Sequence, residues 1–575
     1  MNQVFLFISL LTISYVGFSQ KEPTDSIYTV LDAISKEPVP YATVYNHLSG
    51  TGTVTNLKGQ FYWKPLGQRD SVTLSFVGYE SQFFNSSHPI PASIFLNPKT
   101  EILESAYVYG NMTFLYQLIA DCKIQKSKKN QTAKTYLSLE SIIDNQSVES
   151  MEVYYNGLFN GYDCKELQLK TGRLAISNFG NRFFISTETS KALYLHELYE
   201  STGHFPTSPM GLSRKKLAKL FELKFVKYYE EDNAHTIYQI NYTPTKDCDD
   251  CFHGTLWVDS LQHQIQKVTL QTDSTLRHPF IPIGHSDKLL NVSLEITKNY
   301  QTNKDVAQFK STDFNYQLVY KTISDSIFTV NTNALVYAYD YDSKFDLPHF
   351  EYGNIRYKDY ILIGSIPYNW FFWNNYKEFN MANQKESVLF SSLNPAQTGT
   401  FVNTNNPYFD KPFFEHAYKP WSIKRIELNQ ALSDEVGRAV SLEAPPSQQY
   451  KLKTQIYLDI NKINDSLHTV TSSYFDPYYS YFYLPQSAKT DAFVNMYFDL
   501  TEIKRRELEK QIQHASSRKE VEKLYQIKLN ELAIQQKQFI KETQRGNNLK
   551  AMQQWNDYIV KRLKIDNLEL FHLSE

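Results

Sequence analysis

The chain has 575 residues, a formal net charge of −2, 15% aromatic residues and four cysteines. At roughly 100–200 residues per domain it is too long for one core, and its near-zero charge provides no global field to recruit nucleic acid or anionic lipid. Four cysteines are too few to staple a protein of this size, so hydrophobic cores must hold it together. The abundance of Tyr and Phe suits pleated, half-buried surfaces. The apolar runs are too interrupted for doubly buried parallel strands, so antiparallel sheets with one wet face are expected.

Residues Val4 to Val16 are apolar apart from Ser and Thr, and small residues Gly17 and Ser19 follow. The run is shorter than the ~20 residues that span a bilayer. It predicts a signal peptide over 1–19, cut after Ser19, although its leading end carries no Lys or Arg. No Cys stands near the cut to take a lipid anchor. No later run is long and apolar enough for a membrane helix, so the expected location is the periplasm or a face of the outer membrane.

Short strand-like runs separated by turn signals fill residues 25–108, the spacing of a β-sandwich. In residues 52–63, "GTVTNLKGQFYW", Asn56 and Gly59 carry turn chemistry. The stretch predicts a hairpin with Val54 and Phe61 inward, and Gly78 predicts a bulge or tight bend. Pro40, Val44, Gly52, Thr55, Gly59, Phe61, Gly78 and Tyr79 together resemble the carboxypeptidase regulatory-like domain, a transthyretin-like sandwich of exported Bacteroidota proteins. Asn56 stands where that pattern usually has Asp. The resemblance implies a fold and an accessory role, as at the N-termini of TonB-dependent receptors, and no activity.

Helical spacing in residues 112–130 predicts a connecting helix with Phe114, Leu118 and Ile119 on one face. Strand-like runs then continue to about 375, so residues 112–380 are expected to form a helix plus a large, curved antiparallel sheet. Residues 254–271 are the clearest hairpin, and they resemble those of lipoprotein-carrier-like sheets in envelope proteins. The aromatic stretch 366–379 reads as a core or seam plug in preference to a binding platform. Residues 394–412, rich in Asn, Thr, Pro and Gly, read as a linker. The last region, 413–575, reads as a strand pair followed by amphipathic helices, a mixed α+β domain. Val521, Tyr525, Leu529, Leu532 and Phe539 form a stripe, and "RGNN" at 545–548 forms a stop. A helical bundle docking on an envelope partner is the natural expectation.

No catalytic, cofactor or metal residues emerge. The only His-x-x-Glu is His572 to Glu575, with no downstream ligand. "LHELYE", 195–200, lacks the second His of a zincin. Nucleophile elbows and phosphate loops are absent from the sequence. Cys248 and Cys251, with Asp249, Asp250 and His253 nearby, lack the second pair of a zinc site and precede a strand rather than a helix. They read as a local disulfide or paired thiols, with unpaired cysteines and metal or redox work as alternatives. The leading functional reading is a non-enzymatic envelope scaffold. A glycan or apolar ligand, a periplasmic lipid carrier or sensor, and a hydrolase assembled from distant residues stay open. An open apolar sheet face would favour the carrier, and a filled one would oppose it. A barrel is disfavoured by the helical C-terminal region.

Overall fold

The computed structural model describes residues 26–63, 66–99, 113–124, 130–179, 182–183, 196–200, 203–230, 235–280, 288–303, 306–322, 324–352, 359–376, 379, 400–403, 418–426, 450–463, 466–477, 479–483 and 485–573. The expected signal segment, the run 106–110 and most of the expected linker fall outside them. The chain divides into two compact units, the first of residues 1–99 and 377–386, the second of residues 100–376 and 387–575.

In the first unit β1 (Ser26–Asp32), β4 (Gln60–Trp63) and β7 (Ser93–Leu96) make one sheet. Strands β2 (Thr43–Asn46), β3 (Gly52–Val54), β5 (Ser71–Ser75) and β6 (Gln82–Asn85) make the other. Period-2 alternation buries Val30, Val44, Phe61, Val72, Leu74, Ile94 and Leu96 between them. Val54 and Phe61 are both buried, but the expected hairpin is not one: β3 pairs with β2, and β4 pairs with β1. The turn between them carries the chain from one sheet to the other. The Asn56 carboxamide accepts from Lys58 and Gln60 N–H. Gly59 sits at φ +71°, where a Cβ would fall 2.4 Å from the Val30 carbonyl oxygen, so only glycine fits. Gly78, at φ +87°, makes a tight bend, from which the Tyr79 hydroxyl donates to Asp32 at 2.6 Å.

The second unit opens with α1 (Thr113–Ile124), where Leu115, Leu118, Ile119 and Cys122 are buried. Phe114 is exposed and edges onto Tyr238. The buried stripe therefore starts one residue later than expected, following the i, i+3, i+4, i+7 rule from Leu115. A meander follows: β8 (Asn130–Ile143), β9 (Gln146–Asn160), β10 (Asp163–Phe179) and β11 (Arg182–Phe183). After α2 (Arg214–Leu220) comes a second: β12 (Phe221–Glu230), β13 (Thr236–Pro244), β14 (His253–Asp259), β15 (Gln264–Thr272), β16 (Lys288–Asn303), β17 (Val306–Lys321) and β18 (Ile327–Tyr341). The two meanders fuse where β18 pairs with β8, giving the order β11-β10-β9-β8-β18-β17-β16-β15-β14-β13-β12. All these pairings are antiparallel, and the expected 254–271 hairpin is β14–β15. Residues 400–403, inside the expected linker, form β19 (Thr400–Asn403), which pairs parallel with β10.

Short helices α3 (Asp359–Ser365) and α4 (Trp370–Asn375) precede the C-terminal region. There β20 (Lys419–Pro420) extends the hairpin of β22 (Thr454–Ile463) and β23 (Ser466–Phe475), and β21 (Tyr450–Lys451) pairs with β24 (Tyr481–Phe482). Helix α5 (Ala488–Ile512) begins at a capping box in which Ser487 and Thr490 exchange hydrogen bonds. Helices α6 (Arg518–Thr543), α7 (Leu549–Leu563) and α8 (Asn567–Leu570) complete it. The stop falls at 544–546, and Asn548 caps α7. Val521, Tyr525, Leu532 and Phe539 are buried with Ile456, Leu458, Phe493 and Leu500, and Leu529 packs half-buried against them. This stripe thus packs on the chain's own β22–β23 hairpin and α5.

Candidate functional site

Because strand side chains alternate, the large sheet has two faces of opposite character. The apolar face carries Leu137, Val153, Phe314, Ile296, Val268 and Leu256, all fully buried. It is covered by α1, by Leu217 of α2 and by Leu198, Tyr199, Phe205 and Met210 from the segment between β11 and α2. The Phe205 ring lies 6.1 Å from Phe314, and Phe280 stacks on Tyr316 at 4.3 Å. The chain therefore fills this face with its own side chains.

Two clamps hold the covering segment. At the first, the buried Lys298 ammonium donates to the His196 carbonyl at 2.6 Å, and Asp163 accepts from Leu198 N–H at 2.9 Å. Burial pushes Lys298 down and Asp163 up from their ordinary values, each partly offset by the other's charge. Burial also drives the His196 imidazole well down. His196 packs edge-on against Phe205 and Phe252. At the second clamp, Thr207 N–H donates to the Asp250 carbonyl and Phe252 N–H to the Thr207 carbonyl, both at 3.0 Å. The Thr275 hydroxyl donates to the Asp250 carboxylate, and the Arg277 guanidinium to Thr207 Oγ1. Cys248 and Cys251 flank this loop, joined through their sulfurs with Cα atoms 6.0 Å apart. Of their expected companions, Asp250 belongs to the clamp, while His253 lies on β14 beside the polar face. No group of His, Cys, Asp and Glu fit to hold a metal occurs among the described residues.

The polar face divides in two. Over β8, β9 and β10 it is roofed by the aromatic stretch expected to be a plug, together with Phe345: Tyr154 meets Phe372, Trp373 and Tyr376 at 5.2–5.3 Å and Phe345 at 6.0 Å. Beneath this roof Arg173 pairs with Glu152, Tyr136 donates to Glu152 at 2.6 Å, and the guanidinium lies 4.4 Å above Trp373. Lys170 pairs at 2.6 Å with Asp459 of β22, whose other oxygen accepts from Asn369 and Asn461. These charges are committed to one another and to the seam.

Over β14–β18 the polar face is left uncovered by the described residues. Gln271, Glu295, Asn315 and Asn333 stand directly opposite one another on successive strands, as do Gln317 and Asn331. They floor a trough of about 330 Å³ that also takes in His253 and Asp273. The sequence contained the signal: 291–299, 313–317 and 329–333 place polar residues at every second position. Which of two faces stays uncovered is not readable from that alternation.

In the first unit, the motif residues Gly59, Phe61, Gly78 and Tyr79 occupy turns and core, and a family model described as a CarboxypepD_reg-like domain matches residues 29–108. These residues form a CarboxypepD_reg-like domain. Within the CarboxypepD_reg-like domain the motif residue Thr55 accepts from Ala42 N–H and donates to the Val39 carbonyl, so the pattern maintains the fold. No curated protein matches the chain. Among solved structures it is similar to a putative outer membrane lipoprotein-sorting protein domain from Vibrio parahaemolyticus (11% identity, TM-score 0.19, 40% of this chain and 93% of that one). It is also similar to a LolA superfamily protein from Nitrosomonas europaea (11%, 0.16, 43% and 98%). A third is a chain of the MucA/MucB complex of Pseudomonas aeruginosa (10%, 0.14, 39% and 92%).

Proposed function

We propose that this protein is an exported, non-catalytic binding scaffold of the cell envelope, carrying its ligand surface on the polar face of the large sheet. The observation that carries this reading is the contrast between the faces: the apolar one is filled by Phe205, Met210, Phe280 and α1, while the described residues leave the polar one uncovered over β14–β18. A carrier of apolar ligands needs vacant apolar volume. A hydrolase needs a nucleophile and a base within reach of one another and of a substrate. The buried ionisable groups Lys298, Asp163, Lys170, Asp459, Arg173 and Glu152 instead bind backbone or each other. The apolar run Val4–Val16, the CarboxypepD_reg-like domain and the disulfide support an oxidising, exported setting.

The test is purification from native membranes and periplasm without detergent. The expected chain begins at Gln20, holds no solvent-extractable lipid, and turns over neither peptide nor glycan substrates. Stoichiometric lipid in the extract would replace the scaffold with a carrier whose 203–211 segment moves aside.

A further inference from the structure

We propose that the polar trough is a binding site for an extended, ammonium-bearing chain, a linear polyamine or a lysine-bearing segment. This names the ligand class of the scaffold surface and rests on that reading.

Shape comes first. The trough crosses β14 to β18 at one height, from His253 to Asn333. Four inter-strand steps of about 4.8 Å make it roughly 19 Å long. That length suits an extended chain laid across the strands.

Hydrogen-bonding capacity comes second. Side-chain amides on the floor already turn donors toward neighbours: Gln271 Nε2 to Glu295 at 3.2 Å and Gln317 Nε2 to Asn331 at 2.8 Å. Acceptors are left over on the same floor. Asn315 Oδ1 is buried and has no hydrogen-bond partner. An ionised carboxylate offers about four acceptor sites, and Glu295 uses one of them here. A ligand entering this floor with donors therefore finds acceptors waiting for them.

Charge comes third. Among the described residues neither Lys nor Arg lines the trough, whereas Asp273 and Glu295 do. Glu140 continues the same row beyond Asn333. Such a field repels phosphates and carboxylates and attracts cations. An ammonium group brings three donors and one positive charge, and its hydrogen bonds to carboxylate and amide oxygens are the strong, charge-assisted kind.

Calorimetric titration of the full chain with spermidine, and separately with a short acetylated Lys-Ser repeat peptide, tests this. Binding of at least one is expected, weakening as salt is raised. Glu295→Gln should weaken it about tenfold or more, the usual loss for a hydrogen bond to a charged group, and Asn315→Leu should weaken it severalfold. Asp144→Asn removes the same charge from the exposed β8–β9 turn and should leave binding unchanged. Thermal melts establish that the variants fold. Binding by spermidine alone or by the peptide alone identifies the source, and both outcomes uphold the site. Binding by neither, or equal weakening in Glu295→Gln and Asp144→Asn, overturns it. Capture of a glycan or envelope partner equally by wild type and Glu295→Gln, without cation binding, would retain the scaffold and remove this site.

Discussion

Asp459→Ala should be among the most damaging single substitutions in the second unit. Asp459 is wholly buried and Lys170 is 2% exposed, with 2.6 Å between them. At an exposed pair the loss would be about 0–1 kcal/mol, but here the ammonium stays behind in a water-excluded seam. It would keep only the Asp346 carbonyl, at 2.7 Å. Asn369 and Asn461 would each lose an acceptor as well. Breaking such a pair from one side costs about 3–5 kcal/mol. Replacing both partners, Lys170→Met with Asp459→Leu, should recover most of that, because no charge then remains unpaired. Urea unfolding followed by far-ultraviolet circular dichroism reads both effects as shifts in midpoint. If Asp459→Ala shifts stability by less than about 1 kcal/mol, the pair behaves like a surface pair and the reasoning from burial fails. It fails equally if the double variant is as unstable as the single.

Other outcomes follow from the same contacts. Phe205→Ala should cost about 3–5 kcal/mol through the cavity it leaves and raise the fluorescence of an apolar dye; an unchanged unfolding curve would remove Phe205 from the core. Cys248→Ser with Cys251→Ser should cost at most about 2 kcal/mol, since so short a loop gains little from closure. It should also speed amide exchange at Thr207 and Phe252, and free thiols in the native chain would contradict the bond. Tyr79→Phe should matter most above about pH 4. The Tyr79 hydrogen bond holds the Asp32 carboxyl below its ordinary value, so its stabilisation is present above the unfolded value of about 3.9. It is lost as pH falls through the folded value. Amide exchange at β1 should therefore differ between wild type and variant at pH 6 and converge in stronger acid.

Much of the fold was legible because local chemistry and architecture agree. The β14–β15 hairpin, the α5–α7 helices and the residue-544 stop each follow from periodicity and caps. Asn56 and Gly59 identified a turn, but their hydrogen bonds are the same whether a turn joins two strands of one sheet or crosses between two. Strand pairing beyond the turn decides that, and it is non-local. The α1 stripe slipped by one position because Phe114 is apolar yet sits at the edge of the buried arc. The Lys170–Asp459 pair joins residues 289 apart, and no sequence spacing reports such a contact. The trough was half visible, as alternation without an assigned side.

The join between β8 and β18 has a kinetic consequence. Nearly two hundred residues separate these strands along the chain, so each meander must wait with an unsatisfied backbone rim until the other arrives. Parallel addition of β19 to β10 comes later still. Long-range closure of this kind slows folding, and bare rims invite pairing with the wrong neighbour. A polypeptide emerging from its N-terminal end would carry the first rim exposed throughout synthesis of the second meander, which makes this seam the place where a holding chaperone has most to protect.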